Sequence, residues 1–577
     1  MPKSHERNSN KPKWSRFAGS LGTRYHALAP NMQSDDESWR MWLDAVCIDQ
    51  SNIAERNFQV GMMGRIYNGA FRTVVWLGEQ EDSTGAAIRS IGLVVRQCRD
   101  STKGLSDLYK LIYGRTGFSR SYVPSQISTD VLPASCDWSA IEALYRRTWF
   151  TRLWVVQEAL LNETVVVYIG QHLVRFFDLA LAARWMVYRR PDLTARIGYE
   201  PKGIVNAAIL FDFMFGELSS QLDALLMLGL RFDSTDPKDK VYGILGLKTR
   251  WCTGPYPVLP FCPDYNRSVA DVYRDATRIA LYESGSLDLL RLCCLHLEQD
   301  ELPSGASQSR PLSWVPRYDL ITAQCDDHRT RIFATGDRLH PYMACRFTLR
   351  FGARSLYPFN HNLKSLCFPN ILRIPGQIEG VLSRLDFKLT NALISDDRKL
   401  GDLITSMQAW ADDANECFHR RAKPSRAASP TAESRDIEFA LTLTCGVDES
   451  NVPIPRKDHH LVLQDFHALR RSLENNEVDH VNGDGEKFRE RMALSCRNRR
   501  FCTTTNGYYG MVPAAANEGD AVVHLAVSKV LLVLRECTDG RWILVGDAYL
   551  NRAIAPPTDG EILSGKHWRK RVIFDIK

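Results

Sequence analysis

Acidic side chains stand at the ends of two apolar runs early in the chain. The run "MWLDAVCID" (41–49) carries Asp44 in its middle and delivers Asp49 and Gln50 at its exit. The run "RTVVWLG" (72–78) empties into Glu79, Glu81 and Asp82. Carboxylates gathered at strand ends can hold a ligand in the crevice outside the carboxyl edge of a parallel sheet. They can equally bond the backbone amides of the turns that follow them. On the residues alone both readings stay open.

The elements that would position these acids follow from periodicity. Short apolar runs bounded by polar residues read as strands buried on both faces. Between the two runs, Ser51 and Asn52 are good N-cap residues and Glu55 suits a first helical turn. Phe58, Met62, Ile66 and Ala70 then recur every four residues, with Met63 and Tyr67 beside them, as one apolar helix stripe. Strand, helix and strand make a β-α-β unit with a right-handed crossover and parallel strands. Asp49, Gln50, Glu79, Glu81 and Asp82 are therefore expected on one rim. Asp44, in mid-strand, needs a buried partner such as Arg56 or Arg152, and Cys47 reads as a small core residue.

Further helices are expected over "AAIRSIGLVVRQC", after a cap at Asp137 or Ser139, and over "TWFTRLWVVQEALL"; "ETVVVYIG" (163–170) reads as a strand. "LDALLMLGLRFDSTDPKDKVYGILGL" (222–247) reads as two helices about a turn at 234–237, with Asp236 and Asp239 as turn and cap residues. Residues 1–20 are polar and read as a disordered terminus, and 420–436 has linker composition. Short strands separated by Gly-Asp and Asp-Gly turns after about 495 predict a β-rich module.

With 577 residues, 44% hydrophobic and 24% charged, the chain is a multidomain globular protein. Its 73 basic and 67 acidic residues nearly cancel to +6, and no basic stripe points to nucleic acid. The start lacks a secretory h-region, and no apolar run reaches the ~18 residues that span a bilayer. The 15 cysteines include no C-x-x-C pair, so reduced thiols in the cytoplasm are expected. "CDDH" (325–328), "CFH" (417–419) and "DHH" (458–460) each lack the second pair that a zinc site requires.

Three blocks give the chain a family likeness. "WLDAVCIDQSNIAERNFQVGMMGRIYNGAFRTVVWLG" (42–78), "RRTWFTRLWVVQEALLNETVVVYIG" (146–170) and "STDPKDKVYGILGL" (234–247) resemble, in order and spacing, the heterokaryon incompatibility (HET) domain of filamentous fungi. Segments at 263–273, 312–318, 500–513 and 519–536 are similar to those that follow HET domains in long fungal proteins. The family's opening strand is not matched upstream of residue 42, so the domain is expected to be N-terminally shortened. By this resemblance residues 21–250 form a HET domain with a TIR-like, flavodoxin-like parallel α/β sheet. A mostly helical middle (251–419), the linker (420–436) and a C-terminal region with the β-rich module (437–577) follow.

The resemblance implies nonself-recognition signalling that promotes programmed cell death through self-association and other signalling proteins, without nucleic acid or membrane. It also singles out Glu158. Catalytic TIR domains cleave NAD with a Trp and a Glu four residues apart on a helix, and "WVVQE" (154–158) repeats that spacing for Trp154 and Glu158. A carboxylate there would stabilise an oxocarbenium-like state, with Asp49, Gln50 and Glu79 binding the nucleotide. Against this, Val155 stands where TIR domains have Cys, and Arg146, Arg147 and Arg152 offer salt bridges that would make Glu158 a surface residue. An NAD-cleaving hydrolase and an inactive paralogue are the alternatives to the signalling role.

Overall fold

The computed structural model describes residues 41–100, 136–189, 202–214, 221–247, 262–284, 286–295, 312–320, 370–421, 431–447, 454–475, 483–496, 498–525, 528, 530–551 and 572–577. The expected disordered terminus (1–20) and the "CDDH" segment lie outside these residues. The chain divides into two compact units, Met1–Thr151 with Val155–Phe211, and Arg152–Trp154 with Asp212–Lys577. The boundary thus falls inside the 21–250 stretch read as one domain.

In the first unit a mixed three-stranded sheet has the order β1 (Thr73–Trp76), β2 (Val165–Ile169), β3 (His172–Arg175). β1 and β2 are parallel, with Thr73 opposite Val165 and Trp76 opposite Tyr168; β3 returns antiparallel. Their runs, "TVVW" and "VVVYI", are β-branched and aromatic, the side chains that fit a pleated, buried surface. The described α-helices of this unit are α1 (Asp44–Cys47), α2 (Ile53–Gly69), α3 (Thr84–Asp100), α4 (Trp138–Tyr145), α5 (Val155–Leu160) and α6 (Phe176–Arg189), with α7 (Lys202–Met214) running across its end. α6 packs on β2 and β3, α3 packs on α4 and α6, and α5 packs on β1. α4 starts where the sequence places it, because the Asp137 carboxylate accepts from the Ala140 amide at 3.0 Å. That cap is worth about 1 kcal/mol.

The reading of 41–49 as a strand is overturned. Residues 44–47 make a helical turn in which the Cys47 amide donates to the Leu43 carbonyl at 2.8 Å and the Ile48 amide to that of Asp44 at 3.1 Å. Only Ile48 of the run is buried. A strand needs a ladder partner, and 41–49 takes none: it closes its own turn and leaves β1 as the edge of the described sheet. Asp44 is exposed and caps its own turn through the Ala45 amide at 2.7 Å, so it has no need of Arg56 or Arg152. Cys47 is exposed rather than in the core. On α2 Met63 of the expected stripe is buried with Val60 and Gly64, and Met62, Ile66, Tyr67 and Ala70 are half-buried; Phe58, 65% exposed, is the member that faces water. The parallel pair exists, but it is β1 with β2. Of the flavodoxin-like sheet, the described residues show one parallel pair and an antiparallel third strand.

The second unit opens with α8 (Leu222–Gly229), α9 (Asp239–Leu245) and α10 (Val269–Ser284), close to the expected helices. Its largest feature is a β-barrel built from β4 (Leu372–Lys388), β5 (Arg499–Thr504), β6 (Tyr509–Pro513), β7 (Ala521–Leu525), β8 (Leu531–Glu536) and β9 (Trp542–Leu550). The order β4-β5-β6-β9-β8-β7 closes on itself because β7 also pairs β4, which removes every free edge of the ring. β10 (Val572–Ile576) lies along β4 and touches β9. Leu382, Cys502, Val512, Val522, Val533 and Val545 form one apolar cluster of this barrel. Helices α11 (Asp397–Arg421), α12 (Ala432–Leu443), α13 (His459–Asn475) and α14 (Gly485–Cys496) pack against it. Phe439, Phe466 and Phe488 from three of them meet Phe501, Tyr509 and Met511 of the barrel in a shared core. Each such side chain contributes about 1.5–3 kcal/mol on burial. Residues 432–436, read as the end of a linker, are the first turn of α12, capped by Thr431.

Candidate functional site

Parallel pairing sends β1 and β2 out at the same edge, and two glycines finish the ladder there. The Leu77 amide donates to the Tyr168 carbonyl and the Gly170 amide to the Gly78 carbonyl, both at 2.9 Å. Gly78 has φ +107° and Gly170 φ +55°, a region that L side chains rarely enter. A Cβ on Gly170 would sit 2.9 Å from the Gln80 backbone nitrogen, so the 78–82 loop folds back directly over it. The loop then starts α3: the Thr84 hydroxyl accepts from the Glu81 amide, and the Thr84 amide donates to the Glu81 carbonyl, each at 2.9 Å.

Arg147 holds this rim. Its Nη1 donates to the Leu77 carbonyl at 2.9 Å and its Nη2 to Glu81 Oε1 at 3.1 Å. The guanidinium side chain is 11% exposed against 63% for Glu81, and its Nε is buried without a hydrogen-bond partner among the described residues. Sequence reasoning offered Arg147 as a salt-bridge partner of Glu158 and missed this role. The signal available was an arginine before Trp149-Phe150, a buried aromatic pair that fixes where it points.

Of the predicted acids, Glu79, Glu81 and Asp82 do lie on the rim loop and are exposed. Asp49 and Gln50 do not reach it through a strand, since 41–49 is not one. Asp49 instead makes a tight turn. Its carboxylate accepts from the Ser51 hydroxyl at 2.6 Å and the Ser51 amide at 3.0 Å, which holds it below the usual carboxylate range. Its own amide donates to Glu55 at 3.2 Å, and Asn52 caps α2. For Asp49 the capping reading is the one the geometry favours; Gln50 is exposed beside it.

Glu158 lies in the first turn of α5, half-buried, and its Oε2 accepts from the indole Nε1 of Trp149 at 2.8 Å. Trp149 is itself packed edge-on to Phe150 and Phe176. Trp154 precedes α5 and belongs with the second unit, where its ring lies toward Gly243 of α9. Trp154 stands one residue before the described helix and Glu158 in its first turn, so the i, i+4 pairing is not made within that helix. The salt bridges expected of the flanking arginines go elsewhere: Arg146 to Glu142, Arg147 to Glu81.

The third sequence block is structural. Asp236 accepts from the Lys238 amide at 3.0 Å, and buried Asp239 accepts from the Tyr265 hydroxyl. Buried Lys240 donates to the Gly229 and Phe232 carbonyls, satisfying acceptors at the end of α8. No group of three metal-ligating side chains occurs among the described residues, and no described helix is long and apolar enough to cross a membrane.

Residues 14–158 match the family described as "Heterokaryon incompatibility protein (HET)", and residues 467–571 match the "Het-6 beta-barrel domain". The chain is also similar to "Heterokaryon incompatibility protein 6, OR allele" of Neurospora crassa, with 22% identity over 575 residues covering 90% of this chain and 81% of that protein. No solved structure matches. The likeness to fungal HET proteins read from the sequence blocks is thus shown, and the barrel match covers β5 to β9 but not β4.

Proposed function

We propose that this protein acts in heterokaryon incompatibility, as a cytoplasmic nonself-recognition protein whose TIR-like HET region promotes programmed cell death. The observation that carries the reading is collinearity: a HET match at one end, a Het-6 barrel match at the other, and a relative aligned along both. The parallel β1–β2 pair with its intervening helices supports the TIR-like part. Self-association with a second copy is part of the proposal. It is supported by the apolar side chains that the first unit leaves in water: Val46, Ile53, Phe58 and Phe71 are all more than 40% exposed.

The test is expression in a filamentous fungus, followed by fusion with a strain differing at incompatibility loci and counting of dead fusion cells with a vital dye. Death with the wild type and survival with Phe58→Asp supports the reading; equal survival in all pairings rejects it. The NAD-cleaving alternative is separated by incubating purified protein with NAD. Release of nicotinamide by the wild type and not by Glu158→Ala would establish the enzyme; on the signalling reading neither releases it.

A further inference from the structure

α12 ends in a turn whose left-handed position is filled by a cysteine. The Gly446 amide donates to the Leu441 carbonyl at 2.7 Å and the Cys445 amide to that of Thr442 at 3.1 Å, the paired bonds of a Schellman ending. Glycine is the ordinary occupant of the first position past such a cap. Here Cys445 takes it with φ +49°, a conformation that a side chain enters only against steric resistance. Gly446 follows at φ +70°, where a Cβ would lie 3.0 Å from the Tyr549 ring of β9.

That strained backbone carries the Cys445 sulfur to the end of α14. There Cys445 and Cys496 become neighbours, each thiol reaching the main chain near the other: Cys445 Sγ to the Ser495 carbonyl at 3.6 Å, Cys496 Sγ to the Leu443 carbonyl at 2.9 Å. The two are not equivalent. Cys445 is partly exposed and Cys496 is buried. The neighbouring Cys496 thiol, and then the Arg499 guanidinium, hold the Cys445 thiol below the ordinary range. Burial, and then the neighbouring Cys445, push Cys496 up. A partly exposed cysteine beside a fully buried one is the arrangement of an attacking and a resolving cysteine.

We propose that Cys445 and Cys496 form a reversible intramolecular disulfide when the protein meets a hydroperoxide. The Cys445 thiolate attacks the peroxide oxygen; an S–O bond forms, the O–O bond breaks, and the departing alkoxide or hydroxide takes a proton. Neutralising Cys445 removes the negative charge that opposed ionisation of Cys496. The Cys496 sulfur then attacks the sulfenic sulfur; the S–S bond forms, the S–O bond breaks, and the Cys496 proton leaves with hydroxide as water. Two thiols lose two electrons, and the peroxide becomes an alcohol, or water, plus water. The bond would tie the ends of α12 and α14 together where Gly446 meets β9 and Arg499 opens β5, locking the helices to the barrel.

Full-length reduced protein is titrated with hydrogen peroxide, alkylated with iodoacetamide and mapped by mass spectrometry. The expected product is a peptide pair joined through residues 445 and 496, two hydrogens lighter and restored by dithiothreitol. Cys445→Gly, which suits the left-handed turn and so preserves the fold, abolishes the pair. Cys496→Ala leaves a sulfenic acid on Cys445 that dimedone captures. The proposal is overturned if peroxide oxidises exposed Cys47 while both 445 and 496 stay alkylatable, or if no sulfenic acid forms on Cys445 in Cys496→Ala.

Discussion

Replacing Arg147 by alanine removes two hydrogen bonds of unequal worth, and the difference can be measured. The bond to the Leu77 carbonyl is charge-assisted, and Leu77 is 8% exposed, so an acceptor is stranded in a nearly dry place. Such a loss costs about 1.5–3 kcal/mol. The ion pair with Glu81 is different: that carboxylate is 63% exposed, and an exposed pair contributes about 0–1 kcal/mol. Arg147→Ala should therefore destabilise the rim by about 2–3 kcal/mol and Glu81→Ala by about 0.5 kcal/mol or less. Amide hydrogen exchange on the full-length protein reads this locally in peptides covering 73–82 and 165–170, because the Leu77 and Gly170 amides close the ladder. At 1.4 kcal/mol per factor of ten, Arg147→Ala should speed that exchange roughly 30- to 100-fold, and Glu81→Ala by about threefold or less. Equal acceleration by the two variants would refute the reasoning, since the surface ion pair would then be holding the rim.

Gly203→Ala places a Cβ 1.9 Å from the Tyr145 carbonyl oxygen, so the start of α7 must lift off α4. The expected fall in the urea midpoint corresponds to about 3 kcal/mol. Asp547→Ala removes the carboxylate that Arg499, 7% exposed, meets at 2.6 Å, while its 3.0 Å bond to the residue-547 main-chain carbonyl stays, and should cost about 3 kcal/mol in thermal unfolding. Replacing both partners, Arg499→Met with Asp547→Leu, should restore most of it. Iodoacetamide should label Cys445 at a pH below the ordinary thiol range, while Cys502, pushed up to about 12 by burial, stays unlabelled until strongly alkaline pH. Because the folded value of Cys445 is the lower one, its contribution to stability is present above the unfolded thiol pKa of about 8.5 and is lost as pH falls through its own value.

Much of the first unit was legible in local signals. The "TVVW" and "VVVYI" runs became parallel strands, Asp137 capped α4 as expected, and Trp149 and Phe150 are core. The failure at 41–49 has a definite cause: periodicity cannot tell a short buried strand from a helical turn. Here the local i to i+4 bonds of residues 43–48 took up the backbone groups that a ladder would have used, although β1 leaves an edge free among the described strands. Trp154 failed for a related reason. The i, i+4 spacing brings two side chains together only if both residues are helical, and the turn at 152–154 follows the Leu153 amide to the Asp233 carbonyl at 2.8 Å. The barrel was half visible. Its strands after 495 carried turn signals, but β4 pairs β5 as Leu382 opposite Thr504, a partnership set by sheet closure that no local pattern announces.

The rim's charge bears on what the first unit can bind. Glu79, Glu81 and Asp82 face water on one loop, and the guanidinium that crosses it is already bonded to Glu81 and a carbonyl. A like charge about 4 Å from one of those carboxylates meets a repulsion of about 4 kcal/mol at an effective dielectric of 20. A dinucleotide would bring two negative phosphates. The carboxylate meant for the glycosidic bond accepts the Trp149 indole instead of facing an open crevice alone. NAD cleavage at this rim would therefore have to overcome both an anion-repelling lip and an engaged carboxylate. Signalling through protein contact requires neither cost.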